Sequence, residues 1–315
     1  MARYRIGIDL GGTNIAAALV GEDYSIVRRL SVPTDLPRDP ASVCDSMARL
    51  CRRLCEEEGI ALSALASVGI GSPGLVQEGV VLRADNIGFF GVPLAEMMQE
   101  RLGCSVTVHN DANAAALGEL LAGAGKGCTS LVILTLGTGV GGGVIIDGKI
   151  LRGCNGAAGE IGLLTVIPGG KPCACGLRGC LEAYCSATAL IESTKEAMAA
   201  HRGSALWQVA PTLAEVTGKT AWDAMRLGDS VATALVDAYL DLLAVGVSNL
   251  IFLLQPEVIC IGGGISGEGE ALLAPLRERV YGENPYRAVR CPTLVRACLG
   301  NDAGIVGAAF AHLHT

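Results

Sequence analysis

Ile8-Asp9-Leu10-Gly11-Gly12-Thr13 ends an apolar run on a carboxylate, two glycines and a hydroxyl, and Leu134-Thr135-Leu136-Gly137-Thr138-Gly139 lines up with it. Apolar segments flank both turns. Arg5 to Val20 reads as two strands around Gly11-Gly12-Thr13, and Leu131 to Leu136 leads through Gly137 to Gly143 into Val144-Ile145-Ile146-Asp147-Gly148. Apolar runs joined by a glycine turn are a hairpin signature, and the recurrence is a weak internal repeat of one supersecondary unit. The pattern predicts an α/β chain with two similar halves, each opening on a glycine hairpin and facing the other across a cleft.

Outward from the first turn, Ser31 to Pro40 reads as a loop. Ala41 to Glu58 has helical spacing, with Val43, Met47, Leu50 and Leu54 on one face. Ala66 to Gly71 is a short buried strand ended by Ser72-Pro73-Gly74. Leu94 to Leu102 is helical, and Ser105 to His109 is a strand that delivers Asn110-Asp111 to the Ala/Leu-rich helix Ala112 to Ala124. The later half is mainly helical: Ser186 to His201, Asp229 to Leu254 and Ala271 to Val280. A buried strand, Val258 to Ile261, runs into Gly262-Gly263-Gly264, and Asn301 to His314 reads as a terminal helix.

With 315 residues, half of them hydrophobic, the chain has room for two domains and can bury well over half of its unfolded surface, which excludes disorder. A net charge of −7 argues against a nucleic-acid surface. Gly127 to Ile146 holds no charge over 20 residues, the length of a membrane span, but six glycines make it a strand, a turn and a strand. No cleavable signal precedes the first strand. A cytoplasmic location is therefore expected, with the 13 cysteines as thiols or metal ligands.

Several motifs carry chemistry. In the first turn, Gly11 and Gly12 let backbone N–H groups approach phosphate oxygens, Thr13 adds a hydroxyl, and Asp9 can hold a water of Mg²⁺; the competing reading is an ordinary hairpin. Gly137, Gly139 and Gly142 satisfy G-x-G-x-x-G, but that fingerprint needs a following helix, and strand-like residues follow. A second phosphate-contacting hairpin fits better, and no Walker A loop occurs. Gly262-Gly263-Gly264 is a third strand-end glycine site. Asp111, between a strand and a helix, is either an N-cap or a general base for an attacking hydroxyl, which is what phosphoryl transfer asks of one well-placed carboxylate. Cys173, Cys175 and Cys180 form a knuckle that can wrap Zn²⁺, one ligand short of the usual four; otherwise they are free thiols.

Taken in order, Asp9-Leu-Gly-Gly-Thr-Asn14, Gly71-Ser-Pro-Gly74, Asn110-Asp-Ala-Asn-Ala-Ala115, Gly137 to Gly143, Gly156-Ala-Ala-Gly-Glu-Ile-Gly162, Cys173 to Glu182 and Ile261 to Gly264 resemble the ROK family of repressors, open reading frames and sugar kinases. The resemblance implies an α/β, actin-like ATPase or ribonuclease-H-like two-domain kinase fold with an interdomain cleft. Residues 1–115, joined by a C-terminal helix at about 300–315, would form the smaller domain, and 116–299 the larger one with the knuckle. It implies ATP-dependent phosphorylation of a hexose, with the 6-hydroxyl of glucose or a related hexose as the expected acceptor and Asp111 as base. Asp9, Gly11, Gly12, Thr13, Thr138, Gly139, Gly263 and Gly264 would bind ATP and Mg²⁺. Gly74, Asn86, Asn110, Asp111, Glu160 and Glu182 would bind the sugar, and a homodimer is implied. Asn86, Glu160 and Glu182 rest on the resemblance alone.

One departure stands out: where the family has Glu-x-Gly-His, a zinc ligand and sugar contact, this chain has Glu160-Ile161-Gly162-Leu163. Zinc is accordingly left open: it is lost, keeps a water, or recruits Cys154 or Cys185. Alternatives to a glucokinase-type enzyme are a kinase of N-acetylmannosamine, another hexosamine or fructose, and a sugar-binding regulator without catalysis. Family repressors carry a DNA-binding domain before the kinase-like part, and the Asp9 motif begins within ten residues of the start, so no nucleic-acid or membrane partner is expected.

Overall fold

The computed structural model describes residues 4–34, 39–282, 285 and 291–314. In chain order its strands are β1 (Arg5–Leu10), β2 (Asn14–Val20), β3 (Ile26–Pro33), β4 (Ser67–Ser72), β5 (Leu75–Gln77), β6 (Val80–Ala84), β7 (Phe89–Val92), β8 (Val106–Asn110), β9 (Leu131–Leu136), β10 (Val140–Ile146), β11 (Lys149–Ile150), β12 (Val258–Gly262) and β13 (Thr293–Arg296). The helices are α1 (Pro40–Glu57), α2 (Leu94–Leu102), α3 (Asp111–Ala122), α4 (Glu182–Cys185), α5 (Ala187–Ala200), α6 (Leu206–Val209), α7 (Thr220–Arg226), α8 (Ser230–Leu254), α9 (Glu270–Gly282) and α10 (Asp302–Phe310).

Two five-stranded sheets run β3-β2-β1-β4-β8 and β11-β10-β9-β12-β13. Numbered from its own first strand, each has the order 3-2-1-4-5. The internal repeat therefore covers a whole sheet topology, not only its opening hairpin. In the first sheet β1 pairs antiparallel with β2 and parallel with β4, which pairs parallel with β8. In the second, β10 pairs antiparallel with β11, and β12 parallel with β13. A third sheet, β5-β6-β7, was not expected from sequence.

The chain divides into two compact units: residues 1–133, 143–159 and 298–315, and residues 134–142 and 160–297. Residue 115, the boundary expected from sequence, falls inside α3, and that helix lies entirely in the first unit.

In the first unit the period-2 alternation of strands sorts side chains cleanly. Ile6, Ile8, Leu10, Ile15, Ala17 and Leu19 join Val43, Met47, Leu50 and Leu54 of α1 and Leu94 and Met98 of α2 in one core. Ala16, Ala18 and Val20 face the other way, against Ile305, Ala309 and Phe310 of α10. On that second face β1 and β4 present Gly7 and Gly69. A Cβ on either would meet a backbone carbonyl of α10, that of Ile305 or Ala308. The loop expected from Ser31 is strand as far as Pro33, because Asn14, Ile15 and Ala16 pair with Pro33, Val32 and Ser31. β3 is an edge strand of its sheet, where proline is tolerated. Residues 35–38 of that expected loop lie outside the described residues.

The second unit packs around α8, with Met198, Leu206, Ala210, Val216, Ala224 and Ala232 as one cluster. Buried Tyr239 donates its hydroxyl to the Cys185 carbonyl at 2.9 Å. Among the described residues α8 is the helix long and apolar enough to cross a bilayer, and half of its most apolar window is buried inside the protein. Gly127 to Ile146, uncharged over the length of a span, includes β9, a turn and β10.

Candidate active site

Three parallel strand ends in the first unit bring one group of candidate residues together. Register pairs Asp9 with Gly71, Gly71 with His109, and Ser72 with Asn110. The carboxyl ends of β1, β4 and β8 therefore carry Asp9, Ser72-Pro73-Gly74 and Asn110-Asp111 side by side. Carboxyl ends of parallel strands are where open α/β sheets bind ligands.

The capping question at α3 is settled by Asn110. Its Oδ1 accepts from the Asn113 N–H at 3.1 Å as the N-cap, and its Nδ2 donates to the Gly74 carbonyl at 3.0 Å. Asp111 is the first helical residue, where the helix dipole favours negative charge, and its Oδ1 accepts from the Ala112 N–H at 2.8 Å. Gly74 needs its glycine: φ is +84°, and a Cβ would meet the Arg83 carbonyl.

The first glycine turn is closed by Gly11 N–H donating to the Asn14 carbonyl at 3.0 Å. Thr34 buttresses it, its hydroxyl donating to the Gly11 carbonyl at 2.7 Å and its N–H to the Thr13 carbonyl at 2.9 Å. Thr13 is exposed. Asn86, also exposed, comes close through its carbonyl, 3.4 Å from where a Cβ on Gly12 would lie. Burial raises the Asp9 carboxyl above its ordinary value, opposed by the charge of Arg29. A carboxylate kept partly from water at a strand end suits a hydrated cation, so Asp9 fits a Mg²⁺ water shell.

In the second unit, Gly137 N–H donates to the Gly139 carbonyl at 3.0 Å. The start of α5 holds this turn: Ala187 N–H donates to the Gly137 carbonyl at 2.7 Å and the Thr188 hydroxyl to the Thr138 carbonyl at 2.8 Å. Glu182, first residue of α4, accepts the Val140 N–H on Oε2 at 2.9 Å, and a Cβ on Gly139 would collide with that oxygen. Gly263 has φ +79°, and a Cβ there would press on the Leu136 backbone at 2.5 Å, so packing alone already demands glycine; Gly264 is open. Although Glu160 is exposed by area, it is partly desolvated, and that together with the negative charge of Glu182 raises its carboxyl.

The knuckle thiols Cys173, Cys175 and Cys180 lie within 4.8 Å of one another, with Cys175 and Cys180 Sγ at 3.7 Å. That spacing is close to the edge of a zinc-thiolate tetrahedron, about 3.8 Å for Zn–S bonds of about 2.3 Å. The three thiols fit three corners. Cys185, one of the residues expected as a fourth ligand, is buried and turned to the Tyr239 carbonyl at 3.8 Å. None of the 13 cysteines is in a disulfide.

Sequence reasoning missed the two threonine buttresses, because Thr34 and Thr188 meet their turns only through the fold. It also missed a polar cavity lined by His109, Asn110, Asn113 and Arg152, with about 10 Å³ of room, roughly one water. His109 Nε2 and Asn113 Oδ1 are buried there without protein partners. Burial, reinforced by the charges of Arg152 and His312, pushes the His109 pKa down to about 4. The one signal in sequence is that a histidine directly precedes Asn110-Asp111.

The fold and the paired glycine turns place the molecule in the actin-like ATPase class of α/β proteins. The chain belongs to the ROK family, whose model matches residues 5–314. It is 38% identical over 308 residues to a glucokinase of Halalkalibacterium halodurans, covering 97% of this chain and 93% of that protein. To a glucokinase of Thermotoga maritima it is 39% identical over 307 residues, covering 96% and 95%. A ROK family glucokinase from Streptomyces griseus, solved with glucose and AMPPNP, superposes with a TM-score of 0.79 at 36% identity, covering 97% of this chain and 98% of that one.

Proposed function

We propose that this chain is an ATP-dependent hexose kinase of glucokinase type. The observation that carries the reading is the arrangement at the β8–α3 junction. Asn110 takes over helix capping, so Asp111 stands at a helix N-terminus beside the strand ends of Asp9 and Gly74, with its first oxygen anchored on Ala112 N–H. The glucokinases to which the chain is 38 and 39% identical support the substrate class.

In this reading Asp111 accepts the proton of the sugar 6-hydroxyl as its oxygen bonds to the γ-phosphorus of ATP and the bond to the β,γ-bridging oxygen breaks, releasing ADP. Asn110, Asn86, Gly74, Glu160 and Glu182 hold the other hydroxyls. Gly11, Gly12, Thr13, Thr138, Gly139, Gly263 and Gly264 line the nucleotide. Asp9 would hold Mg²⁺ through its waters, and the ion would neutralise developing phosphate charge. Cytoplasmic location and homodimerisation belong to the same proposal.

An ADP-release assay over hexoses, N-acetylhexosamines and fructose tests it. ATP-dependent turnover on a hexose is expected, and the panel identifies which one. Absence of turnover on every sugar, or full activity in Asp111→Asn, would overturn it.

A further inference from the structure

Side chains two residues apart in a strand share a face. Asp9 therefore lies on the same face of β1 as Gly7, which sits under the Ile305 carbonyl of α10. One residue earlier in α10, Gly304 stands over Asp9. A Cβ on Gly304 would lie 3.8 Å from both Cγ and Oδ1 of Asp9, and within 4 Å of no other atom beyond its own stretch of helix. Asp9 is half-buried, yet no described residue donates a hydrogen bond to its carboxylate. Gly304 is itself partly open to solvent.

Gly118 and Gly307 are glycines because a Cβ on either would collide with a backbone carbonyl. Gly304 is under no such demand. Its φ is not positive, and 3.8 Å is an ordinary van der Waals separation for carbon. Glycine inside a helix is less stable than alanine. Helix propensity and packing both favour alanine here, and a position that breaks a local rule without a packing gain points to function. What glycine preserves at 304 is open space beside a carboxylate.

We propose that Gly304 belongs to the ion site: its bare Cα leaves room for a water that joins the Asp9 carboxylate to Mg²⁺. This rests on the reading of Asp9 as a carboxylate that holds the ion of Mg·ATP through water. Mg²⁺ gives up its waters reluctantly, so such a carboxylate needs space for water as much as it needs charge. A methyl at 304 would lie against Oδ1 and displace water from that side. Gly304 is thus a positioning residue that acts through the hydration of Asp9.

The test uses the full chain with Mn²⁺ in place of Mg²⁺, an ion suited to the same carboxylate and water ligands, read by electron paramagnetic resonance and water-proton relaxation. Mn²⁺ is titrated into protein saturated with ADP, and metal-free ADP binding is measured alongside by calorimetry. Gly304→Ala is expected to bind Mn²⁺ about 10–100-fold more weakly than wild type, the usual cost of losing groups that orient a ligand, with metal-free ADP affinity unchanged. Its denaturant midpoint is expected to rise, because the helix gains an alanine. Weaker metal binding in a more stable protein separates the effect from misfolding. Adding Gly304→Ala to Asp9→Asn is expected to cost little further, since both act on one water. Unchanged Mn²⁺ affinity in Gly304→Ala would overturn the proposal. So would a lowered midpoint, which would make packing the reason for glycine. Wild type that binds ADP with no gain from Mn²⁺ would overturn this inference alone; wild type that binds neither ADP nor Mn²⁺·ADP would take the kinase reading down with it.

Discussion

Asn110 caps α3, and Asp111 beside it is the proposed base. At sequence level a carboxylate at a helix mouth leaves capping and catalysis as rivals; the Asn113 N–H donates to the Asn110 side chain, so the N-cap place belongs to Asn110. Replacing Asp111 by Asn keeps the shape and removes the proposed base. kcat is expected to fall by about 10²–10⁴-fold, the usual worth of general base catalysis, in steady-state assays at saturating sugar and ATP. Glu160 supplies a pH test. As the proposed hydroxyl acceptor it would work ionised, and its carboxyl is raised above the ordinary value by burial and by Glu182. Sugar KM is therefore expected to rise on acidification at a higher pH than for an ordinary carboxylate, and the pH dependence should flatten in Glu160→Gln. His109 acts on stability. Its pKa is depressed to about 4 from 6.5, so between those values the unfolded chain binds more protons. Stability from the neutral ring is present above about 6.5 and lost as pH falls toward 4. Denaturant midpoints measured across that window should fall less steeply in His109→Gln.

At the scale of elements, α3 and α10 cross at backbone contact. A Cβ on Gly118 would meet the Ala303 carbonyl, and one on Gly307 the Ala114 carbonyl. Beneath them Gly7 and Gly69 let α10 settle on the sheet. α3 carries Asp111 at its start, so this contact positions the proposed base. Gly307→Ala is expected to destabilise by about 1–3 kcal/mol or more, the cost of overpacking, read as a lowered denaturant midpoint with unchanged slope. Glu119 pins the far end of α3: fully buried, it accepts the Leu299 N–H at 2.8 Å and the Ala124 N–H at 2.9 Å. The helices were legible from periodicity; their closeness was not, since glycine in a helix reads locally only as a weak spot. Gly141 to Gly143 misled in a similar way. Read as turn, they belong to β10, which begins at Val140, and a Cβ on Gly143 would lie 2.6 Å from the Ala112 carbonyl of α3.

For the whole molecule, the repeated 3-2-1-4-5 strand order shows how far a six-residue likeness reached. Both sheets present a glycine hairpin on their first two strands, as expected of a protein that grips a nucleotide by backbone. If the native state alone binds the sugar, stability should rise by about 2.7 kcal/mol at a sugar concentration 100 times its Kd. Thermal unfolding with substrate and with non-turned-over hexoses checks this; equal shifts for both would separate binding from catalysis.

The sequence by itself determined the α/β class, the two hairpins, the main helices and the candidate base, because each is written in a period or a turn spanning a few residues. Only the tertiary structure decided that Asn110 caps while Asp111 does not, that Thr34 and Thr188 brace the turns, that β5 to β7 make a sheet of their own, and that Glu182 reaches both Val140 and Cys173. Those outcomes depend on atoms from segments tens of residues apart coming within 3 to 4 Å. Local periodicity records which face of an element is buried, but not what it is buried against.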